Sequence, residues 1–397
     1  MEAYASFRSR DYRLLIAGNF LSGSGLQMLS VAVGWDLYLA TKSAIVLGNV
    51  GLVQVTPFIV FALLAGRVAD RHDRRRVIIL TQILLLAASA LLIFSSGSVL
   101  LIYGGLFLTA TSRAFQGPSR TAMLPHVVPA GALQNAITWN SSAMEISNVS
   151  GPALAGFLIA AAGSRTVYLV HFVCATLTLI CFFLLDFRAD TGREVAAPDA
   201  KALLEGVHFI RKDPLILPAI SLDLFAVLFG GATALLPIYA VDILRIGAHG
   251  LGWLRAAPAI GAVSMAFLMA HSRKIQNAGR ALLWTVAGFG AATILFGLSR
   301  YVWLSFAMLL LTGAFDNVSV VLRNSLVQTK TPDRLRGRVL AANNVFISCS
   351  NQLGAVESGW TAAWFGPVLS VVGGGIATIA IVAGFAARSP ALRRWRQ

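Results

Sequence analysis

The sequence predicts an all-helical integral membrane protein of twelve spans, organised as two related six-helix halves. Three observations predict it. Of 397 residues, 57% are hydrophobic and only 12% charged, with mean hydropathy +0.73, whereas a soluble chain carries about 25% charged residues. The charges fall in short runs between long apolar stretches. The second half of the chain repeats the first at a fixed spacing.

A helix needs about 20 mostly apolar residues to cross a bilayer. Twelve stretches meet that length, at 14–39, 45–65, 77–96, 99–118, 134–162, 166–185, 215–240, 250–271, 281–299, 301–322, 339–364 and 367–387. Strands of a membrane barrel would instead run about 10 residues with alternating polarity. The first span follows Arg8, Arg10 and Arg13. Its length, and the spans that come after it, read as an uncleaved first helix rather than a secretory leader. Spans two and three are joined by 66–76, with five Arg and two Asp, which must be a polar turn. Span four contains Arg113, and span six contains His171, expected to be a packing group. Stretch 186–213 is the longest hydrophilic one and reads as a cytoplasmic linker with a short amphipathic surface helix from Lys201 to Arg211. The domain reading is therefore an N-terminal six-helix bundle at 1–186, a linker at 187–213 and a C-terminal six-helix bundle at 214–397.

The net charge of +15 raises the question of nucleic-acid binding. Its placement answers it. With an even number of spans, both termini share one side. Lys42, Arg165, Arg245 and Arg300 fall in the opposite loops, and Arg113 and Arg255 fall within spans. All other Lys and Arg lie on the terminal side, which marks that side, and both termini, as cytoplasmic. The charge thus sets topology and attraction to anionic membrane lipids, and no nucleic-acid partner is expected. Cys174, Cys181 and Cys349 lie in apolar spans, where a free Cys behaves as a small hydrophobe. No metal-ligand spacing occurs. The Trp residues read as interface anchors or cavity wall.

The repeat is gap-free. Pro129 and Pro332 are 203 positions apart, and the same spacing pairs Arg120 with Arg323, Asn140 with Asn343, Ser147-Asn148 with Ser350-Asn351, Gly151 with Gly354 and Gly156 with Gly359. Leu or Gly coincidences are cheap in this composition, but polar matches inside spans are not. The two halves begin on the same side, so they are parallel repeats.

Several polar residues stand out in the spans. Asp36, Glu145, Asp223 and Asp316 are acids, with Glu357 in span eleven, and Arg113 is a base. A charge at the bilayer centre costs about 2.5–3.5 kcal/mol on insertion scales, so each should face the interior. A carboxyl held between desolvation and a neighbouring Arg can load and release a proton. Asp36, Arg113, Glu145, Asp223 and Asp316 are the proton-coupling candidates. Asp316 occupies the repeat position of Arg113. Ser141, Glu145, Asn148 and Pro152 share one helical face, and Gly151, Pro152 and Gly156 form a helix-kink motif. Gln27, Asn140, Asn148, Asn344 and Asn351 are candidate cavity residues.

The run Gly66-x-x-Ala69-Asp70-Arg71-x-x-Arg74-Arg75-Arg76 resembles the loop between the second and third helices of the major facilitator superfamily. That resemblance implies the major-facilitator fold. It also implies a latch in which Gly66, Asp70, Arg71, Arg74 and Arg75 hold the two halves together when the transporter faces outward. A simple topogenic charge cluster is the alternative. Asp73 stands where the family usually has Gly, which leaves the turn geometry open. Arg113-x-x-Gln116-Gly117 resembles the second signature, whose Arg is linked to proton movement, and a structural Arg is the competing reading. Gly151-Pro152-x-x-x-Gly156 resembles the antiporter signature, without its further upstream glycines. Arg10-Asp11-Tyr12-Arg13-Leu14-Leu15, Gly34-Trp35-x-x-Tyr38, Gly117-Pro118-Ser119-Arg120 and Glu205-Gly206 are similar to the transmembrane-secretion-effector branch.

The resemblance implies a secondary active transporter in the plasma (inner) membrane, a proton-coupled exporter of hydrophobic or amphipathic small molecules, drug-like or siderophore-like. A symporter or uniporter importing a small metabolite is the alternative. The chain is expected to act as a monomer, driven by the proton gradient and without a cofactor. No Gly-Lys pair occurs, which excludes a phosphate loop. No H-E-x-x-H motif occurs either, and an intramembrane enzyme is not expected.

Overall fold

The computed structural model describes residues 4–129, 131–186, 200–272 and 275–396. Long helices fill it: α1 (Arg10–Thr41), α2 (Ala44–Arg71), α3 (Arg74–Ile93), α4 (Val99–Val127), α5 (Leu133–Ala162) and α6 (Ser164–Leu184). A short helix α7 (Ala200–Lys212) precedes α8 (Ile216–Phe229). Then come α9 (Gly247–His271), α10 (Ala278–Leu298), α11 (Val302–Lys330), α12 (Asp333–Phe365), α13 (Pro367–Arg388) and α14 (Pro390–Arg394). The linker residues 187–199 lie outside the described residues.

Among the described residues, ten helices are long and apolar enough to cross a membrane. They include the stretch Ile216–Ile243, in which α8 continues through short turns. Helices α4 and α12 are as long as the others, 29 and 33 residues, but are not among these ten. Both are more polar: α4 carries Arg113, Gln116 and Arg120, and α12 begins with Asp333, Arg334, Arg336 and Arg338.

The 203-residue spacing extends well beyond the motif matches. Moved by that amount, Val99–Val127 falls on Val302–Lys330, and Ser164–Leu184 falls within Pro367–Arg388. Helix joints repeat as well. Gly163 and Gly366, at φ 82° and 89°, each end one helix and start the next. A side chain there would be strained in the left-handed region. Lys42 and Arg245 share the same trait, at φ 51° and 55°.

The chain forms two compact units, Met1–Ala40 with Val53–Ala197, and Thr41–Leu52 with Pro198–Gln397. The first turns of α2 belong to the second unit because small residues let them approach α12 closely. Gly48 lies against the backbone of Gly359, and Asn49 Oδ1 accepts from Trp360 Nε1 at 3.1 Å.

In the first unit, α1 and α5 are joined by polar pairs. Tyr12 donates to the Ala136 carbonyl at 3.0 Å, Asn19 to Asn140 at 2.9 Å, Ser24 to Ser147 at 3.0 Å and Gln27 to Asn148 at 2.5 Å. Without a hydrophobic drive between helices in lipid, close packing and such bonds hold them. In the second unit, the core gathers Ile216, Leu222, Leu282, Leu322, Leu326 and Val339. Helix α7 packs its buried Ile210 into that core, and Gly206 sits against the Arg338 carbonyl.

One span departs from the sequence reading. The stretch expected as an unbroken helix at 215–240 stops at Gly230, then makes a tight turn over Ala232–Leu235 and a wide turn over Tyr239–Ile243. At the two adjacent glycines, Gly230 and Gly231, a Cβ would collide with Phe289 and with Gly354 and Ser358 respectively. That approach, rather than hydropathy, ends the helix.

Candidate functional site

The proton-coupling candidates are dispersed and differ in kind. Asp36, near the C-terminal end of α1, accepts from the Tyr168 hydroxyl at 2.7 Å. It lines a cavity of about 370 Å³ with Ser95, Ser164 and Arg165. Glu145 is exposed on α5, with Asn148 Nδ2 3.5 Å from its Oε2.

Asp223 on α8 forms an ion pair with Arg323 on α11, and both side chains are buried, at 8% and 1% exposure. This corrects the placement of Arg323 in a cytoplasmic loop. Apolar character stops at about 322, but α11 runs on to Lys330 and carries the guanidinium inward. Arg120, its repeat counterpart, was also assigned to a loop and lies within α4. Its guanidinium sits 4.9 Å from the Phe182 ring centroid and 3.4 Å from Gln82 Oε1. Gln116 Nε2 donates to the same oxygen at 2.8 Å, and Gln82 Nε2 to the Ala175 carbonyl at 2.9 Å. The Gln116 of the second signature therefore joins α4 to α3, and Gln82 carries the link on to α6.

Arg113 and Asp316, which share a repeat position, share one property. Neither makes a hydrogen bond or ion pair among the described residues. Arg113 is exposed on α4. Asp316 is half-buried on α11 and lines a cavity of about 180 Å³ within the second unit, with Gly231, Thr233, Phe289, Thr312 and Asn351. The break in α8 forms part of the same wall.

Of the latch residues, the side chains of Gly66, Asp70, Arg71 and Arg74 lie outside the described residues. Arg75 donates through Nη2 to the Phe183 carbonyl at 2.5 Å, satisfying one of the last carbonyls of α6. Asp73, where the resemblance leads one to expect Gly, caps α3 by accepting from the Arg75 N–H at 3.0 Å.

The cavity candidates divide. Asn140, Asn148 and Gln27 are engaged in the α1–α5 pairs. Asn344 is exposed. Asn351 lines the second-unit cavity, where its Nδ2 donates to the Ile347 carbonyl at 2.9 Å. In the kink motif, Pro152 lies within the continuous helix α5, Gly151 packs against Gln27 and Ser24, and Gly156 is buried. His171 is buried and bonded to Ser89 at 2.8 Å, a packing role. Sequence reasoning missed Arg323, Asn19, Gln82 and the Gly230-Gly231 break. For the last, the adjacent glycines inside a span were the available signal.

Comparison with known proteins gives a consistent answer. A family model described as transmembrane secretion effector matches residues 1–396. The enterobactin exporter EntS of Shigella boydii is 27% identical over 97% of this chain and 93% of its own. The MFS-type transporter YfiS of Bacillus subtilis is 26% identical over 79% of this chain and 77% of its own. Among solved structures, a POT peptide transporter in complex with sulfate superposes with TM-score 0.76 at 11% identity, covering 98% of this chain and 96% of that one. A bacterial homologue of the iron transporter ferroportin gives TM-score 0.73 at 15% identity, covering 94% of this chain and 99% of that one. These likenesses show the fold.

Proposed function

Belonging to the transmembrane secretion effector family, the chain is a multi-pass membrane transporter and not an enzyme, and we propose that it works as a proton-coupled exporter. In this reading, twelve spans form two pseudo-symmetric six-helix bundles in the inner membrane with both termini cytoplasmic. A monomer exchanges protons for hydrophobic or amphipathic small molecules by alternating access, with no cofactor beyond the proton gradient.

One observation carries the coupling. Asp316 sits in a membrane-length helix, lines a cavity and has no protein partner among the described residues. A charge there is expensive, so the carboxylate must be balanced by something the protein does not supply: a proton or a positively charged ligand. Asp223, already paired with Arg323, is less suited to that exchange. The glycine-rich, largely apolar lining of the cavity fits an amphipathic cargo better than a sugar, which would need many hydrogen-bond partners.

The test is transport by purified protein in proteoliposomes with an imposed proton gradient, against a lipophilic cation, a macrolide and a catechol siderophore. A transported compound should drive proton flux in the opposite direction. Substrate movement indifferent to collapse of the gradient would refute proton coupling.

A further inference from the structure

The geometry points to the second-unit cavity as a docking site for the cationic head of an organic substrate, a substituted ammonium group, with Asp316 as its counter-charge. The inference rests on the exporter reading and names the class of cargo.

Three features of the cavity converge. The first is the carboxylate itself. Arg255 lies on α9, which crosses α11 where Gly313 meets Pro258, yet it makes no ion pair with Asp316. Arg323, on the same helix as Asp316, is committed to Asp223. Nothing cationic in the second unit neutralises Asp316 among the described residues.

The second feature is the broken helix. The last carbonyls of Ile216–Phe229 lie at its C-terminus, where the Gly230 N–H satisfies the Ala226 oxygen at 2.8 Å and the helix ends after Phe229; the helix dipole leaves about half a negative charge at such an end. That end opens at Gly230 and Gly231, in the wall of the cavity that Asp316 lines. The negative end of a helix dipole and the Asp316 carboxylate therefore border one space. Interrupted membrane helices offer cations this kind of terminus.

The third is size and lining. Phe289 and Phe296 supply aromatic surface, which attracts quaternary ammonium. Thr233, Thr312 and Asn351 add polar groups. At about 180 Å³ the space is below the roughly 300–1,000 Å³ of whole-ligand pockets. It accommodates a charged head and leaves the apolar body of the cargo outside. A metal ion fits less well, since no cluster of three or more His, Cys, Asp or Glu occurs among the described residues.

The experiment titrates the full chain in lipid nanodiscs with benzyltrimethylammonium and with its uncharged carbon isostere, neopentylbenzene, read by ligand-observed NMR. The wild type should bind the cation at least tenfold tighter than the isostere. Asp316→Asn should lose that preference, and Asp316→Glu should keep it to within about threefold, which separates loss of charge from loss of fold. Equal binding of cation and isostere by the wild type, undiminished cation binding by Asp316→Asn, or displacement of the cation by sodium at equal concentration would each overturn the proposal. Binding is measured here without transport. Proton-driven efflux of uncharged compounds with no cation binding would refute this site alone, whereas cation binding without gradient-driven movement would refute the exporter reading alone.

Discussion

A fully buried arginine is costly unless a carboxylate or backbone oxygens answer it, and Arg323 is answered by Asp223. The pair is almost entirely buried, so removing one partner strands the other. Breaking a buried pair costs about 3–5 kcal/mol, whereas replacing both partners by apolar residues of similar volume is often neutral. Asp223→Asn should therefore lower the thermal midpoint of the purified protein markedly, while Asp223→Leu with Arg323→Met should restore most of it. A single variant as stable as the wild type would mean the pair holds nothing. The acid was legible in the sequence, since a carboxyl in an apolar run is conspicuous. Its partner was not. Hydropathy ended the span one residue before Arg323, and the pairing joins positions 100 residues apart along the chain, which no local pattern encodes. The same limit applies to Asn19 with Asn140 and to Gln82 with Gln116. In each case one member was visible as a polar residue in a span, and the contact itself came from packing.

Helices were the most legible elements because their signal is carried by some twenty residues at once. Eleven of the twelve expected stretches fall largely on single helices, and the 203-residue spacing recurs at the helix joints. The failure was the break after Phe229. Apolar composition continues across it, so a hydropathy reading cannot distinguish a straight helix from one parted by two glycines. Helix α7 shows the opposite case, a short element whose docking depends on one glycine. Gly206 lies against the Arg338 carbonyl with no room for a Cβ, while the neighbouring ion pair of Glu205 with Arg338 is half-exposed, at 57% and 42%. Exposed pairs are worth about 0–1 kcal/mol, so steric fit should dominate. Gly206→Val should release α7 and raise the rate of limited proteolysis within residues 200–212 several-fold. Glu205→Gln should change that rate less than twofold. The reverse order would make the ion pair, not the close approach, the anchor.

On the scale of the whole molecule, the charge distribution is the strongest statement the sequence makes, because it concerns which side of the membrane each loop occupies. Lys42, Arg165, Arg245 and Arg300 are the basic residues assigned to the outer loops, against the many on the terminal side, and the positive-inside bias acts through short loops of this kind. The expectation can be checked without a substrate. In a chain with Cys174, Cys181 and Cys349 replaced by Ala, Ser96→Cys marks the turn between α3 and α4, and Gln276→Cys marks the turn between α9 and α10. Both native residues are exposed, so access depends on side rather than burial. A membrane-impermeant maleimide should label Ser96→Cys in intact cells and Gln276→Cys only after permeabilisation. The opposite pattern would invert every loop and carry the Arg clusters outward. Labelling of both from outside would mean an even number of crossings between the two turns, against the five expected. The outcome bears on Asp316 as well, since the direction in which its helix runs decides from which face a proton or a cationic head reaches it first.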